Sequence, residues 1–311
     1  MKNKTIAIIG SPGCGKTSNA VKLAMSLAKH NQNVVIVSLE CSVPAIPYLL
    51  SNFEEQSASL GDLLTRAALS QQEIASACMT VPKQNHISVL GYQFGDFRAK
   101  FPAMVYERVH DFAFQLKSLV PYIIVDCASS IEDDPASNLF LQEADMILRF
   151  GSADLKGMSC FNTLDKLLDN QASFPREKQL TIISNCWASQ NWQRVSAVYG
   201  DVFDVLPHCP DLAYQYDEMD LFNTLASKEG LKYMDVMERI ASRITGNMTT
   251  REAITEIKGE REKEKKAEKK DILLKPLRSV LNIGSRGKGA GPGQRKPGAA
   301  KPKINRKNGE W

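Results

Sequence analysis

Gly10-Ser11-Pro12-Gly13-Cys14-Gly15-Lys16-Thr17 is the stretch that decides the fold. It satisfies G-x-x-x-x-G-K-[ST] at every position. It lies between an apolar run, residues 5–9, and a segment of helical periodicity, residues 17–29. The order strand, glycine loop, helix has a chemical reason. Glycines let the backbone wrap around phosphate groups, turning successive N–H groups inward at the positive end of a helix. Lys16 is placed to reach the β- and γ-phosphates of a nucleotide, and the Thr17 hydroxyl to ligate Mg²⁺. Gly10 through Thr17, together with Ser18, form the expected phosphate cradle.

A phosphate loop of this kind needs an acid at the end of another parallel strand. Tyr122-Ile123-Ile124-Val125-Asp126 supplies one, with Asp126 at the tip where it can meet the water shell of the metal. Cys127 follows, where a motor of the RecA or AAA+ type would carry a glutamate. Asn185 is followed by Cys186-Trp187-Ala188, so the NKxD pattern that reads guanine is missing. ATP is favoured over GTP.

Outward from the loop, short β-rich runs alternate with helical segments over residues 1–245. Strands are expected at 5–10, 33–39, 87–90, 122–126, 146–150, 180–184 and 202–206. Helices are expected in segments such as 17–29, 103–119, 154–169 and 231–244. Continuous apolar strands with helices between them predict an α/β fold: a doubly wound, mostly parallel sheet covered on both faces. No internal repeat is visible. The seven cysteines are scattered and include no CxxC pair, which fits reduced thiols and a cytoplasmic protein. No run approaches the roughly 18–20 apolar residues that would span a bilayer.

Charge divides the chain. Residues 246–311 hold 18 Lys and Arg against 8 Asp and Glu, whereas residues 1–245 hold 21 against 27. Residues 246–283 read as a charged helical linker, with Glu260–Lys263 and Glu262–Lys266 at helix-neighbour spacing. Residues 284–311 contain seven glycines, three prolines and eight Lys and Arg. They cannot bury enough apolar surface to offset ordering entropy and read as a disordered basic tail. Within the linker, Ile272, Leu273, Leu274, Leu277, Val280, Leu281 and Ile283 gather on one side of a helical wheel. A weak, peripheral membrane contact through residues 271–283 follows from that arc, and docking on the body or on a protein partner is the competing use. Contact of the tail with nucleic acid is less favoured, because only Trp311 offers an aromatic ring there.

The layout over residues 4–245 resembles the ParA/MinD superfamily of deviant P-loop ATPases. The strand ending Val34-Val35-Ile36-Val37-Ser38-Leu39-Glu40 is similar to the family's acidic switch strand. Glu143-Ala144-Asp145 resembles the family's approach to the next strand. Leu180 to Asn185 resembles the strand whose Asn contacts adenine. Leu206-Pro207-His208-Cys209-Pro210-Asp211 resembles the proline-bearing loop that closes over the base. The resemblance implies ATP and Mg²⁺ as ligands, Lys16 and Glu40 as catalytic residues, Asn185, Pro210 and Asp211 at the base, and an ATP-dependent homodimer. It implies a switch that positions or assembles a partner complex, as in pilus or secretion, conjugation or partition machinery. The altered loop also resembles pilus-assembly relatives of the TadZ/CpaE type. Two positions depart from the family: Ser11 stands at the signature lysine, and Ser38 and Glu40 stand at the two aspartates of the switch strand. They point to weak hydrolysis. A P-loop small-molecule kinase or ATP-dependent ligase, with Arg98 and Lys100 as its basic cluster, and a non-hydrolysing nucleotide-binding scaffold are the alternatives.

Overall fold

The computed structural model describes residues 3–50, 58–169, 174 and 176–246. The expectations for the linker beyond Gly246, for the amphipathic segment 271–283 and for the tail lie outside the described residues. No helix among the described residues is long and apolar enough to cross a membrane.

The described residues form eight strands and ten α-helices. The strands are β1 (Lys4–Gly10), β2 (Val34–Ser38), β3 (Met79–Thr80), β4 (Ile87–Leu90), β5 (Tyr122–Asp126), β6 (Met146–Ser152), β7 (Gln179–Cys186) and β8 (Val202–Pro207). The helices are α1 (Lys16–Ala28), α2 (Ile46–Leu49), α3 (Leu60–Thr65), α4 (Gln71–Ala77), α5 (Tyr106–Leu119), α6 (Pro135–Glu143), α7 (Leu155–Asp169), α8 (Gln193–Tyr199), α9 (Pro210–Asp217) and α10 (Lys228–Thr245). The strands form one sheet in the order β3-β4-β2-β5-β1-β6-β7-β8. Every pairing is parallel except β3 with β4 at the edge. The seven strands expected from sequence are all present. Two-residue β3 was not expected, because an edge strand that short has no periodicity to read.

Alternation along each strand builds two cores. Ile6, Ile8, Val34, Ile36, Ile124 and Leu148 face α1 and α10. Their neighbours Ala7, Ile9, Val35, Val37, Ile123, Val125 and Ile147 face the layer formed by α3 to α7. Burial on both faces is why these strands read as unbroken apolar runs. Helix α10 buries Tyr233, Val236, Met237, Ile240 and Ile244 on one stripe, each apolar side chain contributing about 1.5–3 kcal/mol. Its ends are marked in sequence: the Ser227 hydroxyl accepts from the Gly230 amide at 3.0 Å, and Gly246 closes the helix at φ 82°. Around β1 the strand order reverses, with β5 on one side and β6 on the other. Sheets of this kind place their ligands at the carboxyl ends of the strands beside that reversal.

Candidate functional site

The phosphate loop leaves β1 at the reversal point. Gly10 is required there: a Cβ would lie 2.2 Å from the Phe150 carbonyl oxygen of β6. At the other end of the loop Gly15 caps α1 in the left-handed region, φ 82°, and delivers the chain directly into a helix N-terminus open to an anion. Between them the Cys14 thiol is buried. Burial pushes its pKa up to about 11, offset in part by Lys16, so it is an inert packing group. Its carbonyl accepts from the Ser184 hydroxyl at 2.7 Å, which ties the loop to β7.

Thr17 and Asp126 meet as the sequence predicts. The Thr17 hydroxyl donates to Asp126 Oδ2 at 2.6 Å, and Asp126 Oδ1 is buried without a hydrogen bond. Burial raises the Asp126 pKa to about 6, with the Glu40 charge adding to the rise and Thr17, Lys16 and Ser38 opposing it. A carboxylate held in that state fits a divalent cation. The donors are hard oxygens, Mg²⁺ prefers them, and a nearby cation would repay the desolvation of the anion. Among the described residues no group of three His, Cys, Asp or Glu side chains converges. Thr17 and Asp126 would therefore hold Mg²⁺ together with phosphate oxygens and water, and the ion would supply neutralising charge to the phosphates.

Glu40 and Lys16 converge on one loop. Glu40 Oε2 accepts from the Ser129 amide at 2.9 Å and Oε1 from the Ser42 amide at 3.1 Å. Lys16 Nζ donates to the Ser129 hydroxyl at 3.1 Å. Burial pushes the Glu40 carboxyl up, but the Ser129 and Ser42 hydrogen bonds and the Lys16 cation outweigh it and keep its pKa below the usual value. Glu40 is thus an ionised clamp between the loop after β2 and the loop after β5.

A cavity of about 470 Å³ opens beside the loop, lined by Gly13 to Asn19 on one side and by Asn185, Pro207, His208, Leu212 and Tyr216 on the other. Asn185 adopts φ 54° and is paired through Oδ1 with His208 Nδ1 at 2.8 Å. His208 stacks on Trp187 with ring centroids 3.5 Å apart. Pro210 and Asp211 stand at the start of α9, outside this lining. The Asp211 carboxylate accepts from the Ser227 amide at 2.8 Å and so secures the entry to α10. The wall they were expected to supply is formed by Pro207, His208 and the α9 residues Leu212, Ala213 and Tyr216.

Two further residues had no motif to reveal them. Lys22 of α1 is fully buried and donates to Gln215 Oε1, the Leu221 carbonyl and the Asn223 carbonyl at 2.6, 2.6 and 2.7 Å. It holds α1 against the end of α9. Asn19 donates to the Ser184 hydroxyl at 3.1 Å and accepts from the Tyr233 hydroxyl. Both read in sequence as polar positions of an amphipathic helix. Ser11 is also buried: its hydroxyl lies 3.4 Å from that of Ser152 and accepts from the Ser152 amide at 3.3 Å.

Arg98 and Lys100, the expected basic cluster of a phosphotransferase, line neither this cavity nor a second one beside Pro12. Lys100 is paired with Asp96 at 2.7 Å.

No protein-family model and no curated protein matches the chain. Solved structures do. A ParA family ATPase from Chlorobium tepidum superposes with a TM-score of 0.65 at 17% identity, covering 77% of this chain and 98% of its own. The MinD cell division protein of Aquifex aeolicus gives 0.60 at 15% identity, covering 79% and 98%. A plasmid partition protein of Borrelia burgdorferi, solved with AMPPNP bound, gives 0.60 at 17% identity, covering 78% and 100%. The chain therefore has the fold of the ParA and MinD ATPases.

Proposed function

We propose that the chain is an ATP- and Mg²⁺-binding switch of the ParA/MinD kind that hydrolyses weakly and associates in its ATP-bound form. The carrying observation is the Thr17–Asp126 pair at 2.6 Å at the mouth of a phosphate loop, next to a cavity large enough for a nucleoside. Neighbours of the same fold support the ligand: one was solved with AMPPNP, and a MinD from Pyrococcus horikoshii is described as complexed with Mg-ADP. A MinC:MinD complex from Aquifex aeolicus supports a protein partner. The task of the switch is to position or assemble such a partner, in pilus or secretion, conjugation or partition machinery. Binding energy enters through differential affinity, since ATP shifts the association equilibrium only as far as it prefers the associated form.

The test is light scattering of the full chain with and without Mg-ATP, on wild type and Lys16→Ala. ATP-dependent association in wild type, lost in the variant, is the expected result. An ATP-bound wild type that stays monomeric would refute the switch and leave a nucleotide-binding scaffold.

A further inference from the structure

The phosphate loop separates two cavities. The nucleoside cavity lies on the Gly13 to Asn19 side, and a second one, about 420 Å³, lies on the Pro12 side. Ser129, which accepts from the Lys16 ammonium at 3.1 Å, lines the second. Since a P-loop lysine serves the β- and γ-phosphates, the second cavity adjoins the γ-phosphate end of the site. Its far wall is α7, which presents Lys156, Ser159, Cys160, Thr163 and Leu164 at helix-face spacing. Among the described residues, Lys156 is the one cation of that lining, which also holds Glu132 on the opposite loop, and Lys156 is exposed.

The start of α7 is tied to the phosphate loop by a continuous run of hydrogen bonds. The buried Ser11 hydroxyl accepts from the Ser152 amide at 3.3 Å. The Ser152 hydroxyl donates to Asp154 Oδ1 at 2.8 Å, and the same oxygen caps α7 by accepting from the Gly157 amide at 2.8 Å. Gly157 permits this close seating, because a Cβ would lie 2.2 Å from both the Ser152 carbonyl oxygen and the Tyr199 hydroxyl. The turn that carries Lys156 is therefore held in register with the loop that would carry the phosphates.

We infer that Lys156 is a second cation for the transferring phosphate, with the Pro12-side cavity as the chamber in which the transfer takes place. The inference rests on the ATPase reading above. In that transfer a water oxygen bonds to the γ-phosphorus while the bond to the bridging oxygen breaks. ADP leaves with the bridging electron pair, and the proton of the water passes to phosphate and solvent. Lys156 moves no proton. It neutralises charge on the equatorial oxygens, a role that costs orders of magnitude in rate when a comparable cation is removed elsewhere.

The experiment compares the full-length wild type with Lys156→Ala and Lys156→Arg, using Lys16→Ala as a control. ATP affinity, turnover, and retention of ADP in aluminium fluoride are measured; the last reports the transition-state charge without catalysis. Lys156→Ala is expected to keep ATP affinity within about threefold, to lose turnover at least tenfold, and to release ADP in fluoroaluminate. Lys156→Arg should restore most of both. Unchanged turnover and trapping in Lys156→Ala overturn the inference, as does a wild type that binds ATP with neither turnover nor trapping. Failure of ATP to bind even the wild type removes the ATPase reading itself. ATP binding that depends on Lys16 but a turnover indifferent to Lys156 removes only this inference.

Discussion

The Thr17 hydroxyl donates to Asp126 Oδ2 at 2.6 Å, joining the first turn of α1 to the tip of β5 while the second carboxylate oxygen stays buried and unpaired. The pair is a compromise between stability and binding. An anion is kept out of water with too few partners, and the deficit is what a cation would repay.

Asp126→Asn removes that anion and keeps an oxygen for the Thr17 hydroxyl. The nucleotide-free protein should become more stable at pH 7, by on the order of 1–3 kcal/mol. The gain in ATP affinity on adding Mg²⁺ should shrink at least tenfold. Denaturant titration and calorimetry with and without Mg²⁺ measure the two effects, and loss of stability in the variant would contradict the account.

The same residue sets a pH dependence. Folded Asp126 takes up its proton near pH 6, against an ordinary value of 3.8. Between those values the native state binds more protons than the unfolded one, so the contribution of Asp126 to stability falls as pH rises and levels off above about pH 6. Thermal melts of the nucleotide-free protein from pH 4 to pH 7 should show this fall relative to Asp126→Asn, which lacks the group. Mg²⁺-dependent ATP binding should rise over the same range as the carboxylate ionises.

Lys22→Met tests the buried tie between α1 and α9. Burial lowers the Lys22 pKa to about 8, with Cys209 opposing it, so the ammonium is charged at neutral pH. Methionine fills the volume but leaves Gln215 Oε1 and the carbonyls of Leu221 and Asn223 without their donor. The expected cost is about 3 kcal/mol in urea unfolding. ATP affinity should fall as well, because α9 supplies Leu212, Ala213 and Tyr216 to the cavity beside the phosphate loop.

Asn185→Gly isolates the carboxamide. Glycine accepts the φ of 54° found here at no steric cost, so the backbone should hold while the side chain facing the cavity is lost. Preference for ATP over GTP should fall by roughly tenfold or more, the scale of one lost polar contact, with little change in melting temperature. Competition binding of the two nucleotides measures it. An unaltered preference would move base recognition to His208 or to the α9 wall.

The phosphate loop, the seven parallel strands and the placement of Asp126 were legible in the order of residues, since each depends on local rules. Glycine spacing sets the loop, apolar runs mark strands buried on both faces, and a strand tip carries its last side chain to the carboxyl edge of the sheet. Packing between distant segments makes Lys22 and Asn19 buried ties, turns Ser11 inward to Ser152 and pairs His208 with Asn185. It also decided that Lys156 shares a cavity with Pro12. Periodicity tells which face of a helix is covered but not by what. Lys22 meets partners about 200 positions away, and Ser11 meets one 141 positions away. A polar side chain that finds its hydrogen bonds across such distances leaves the same local pattern as one that points into water.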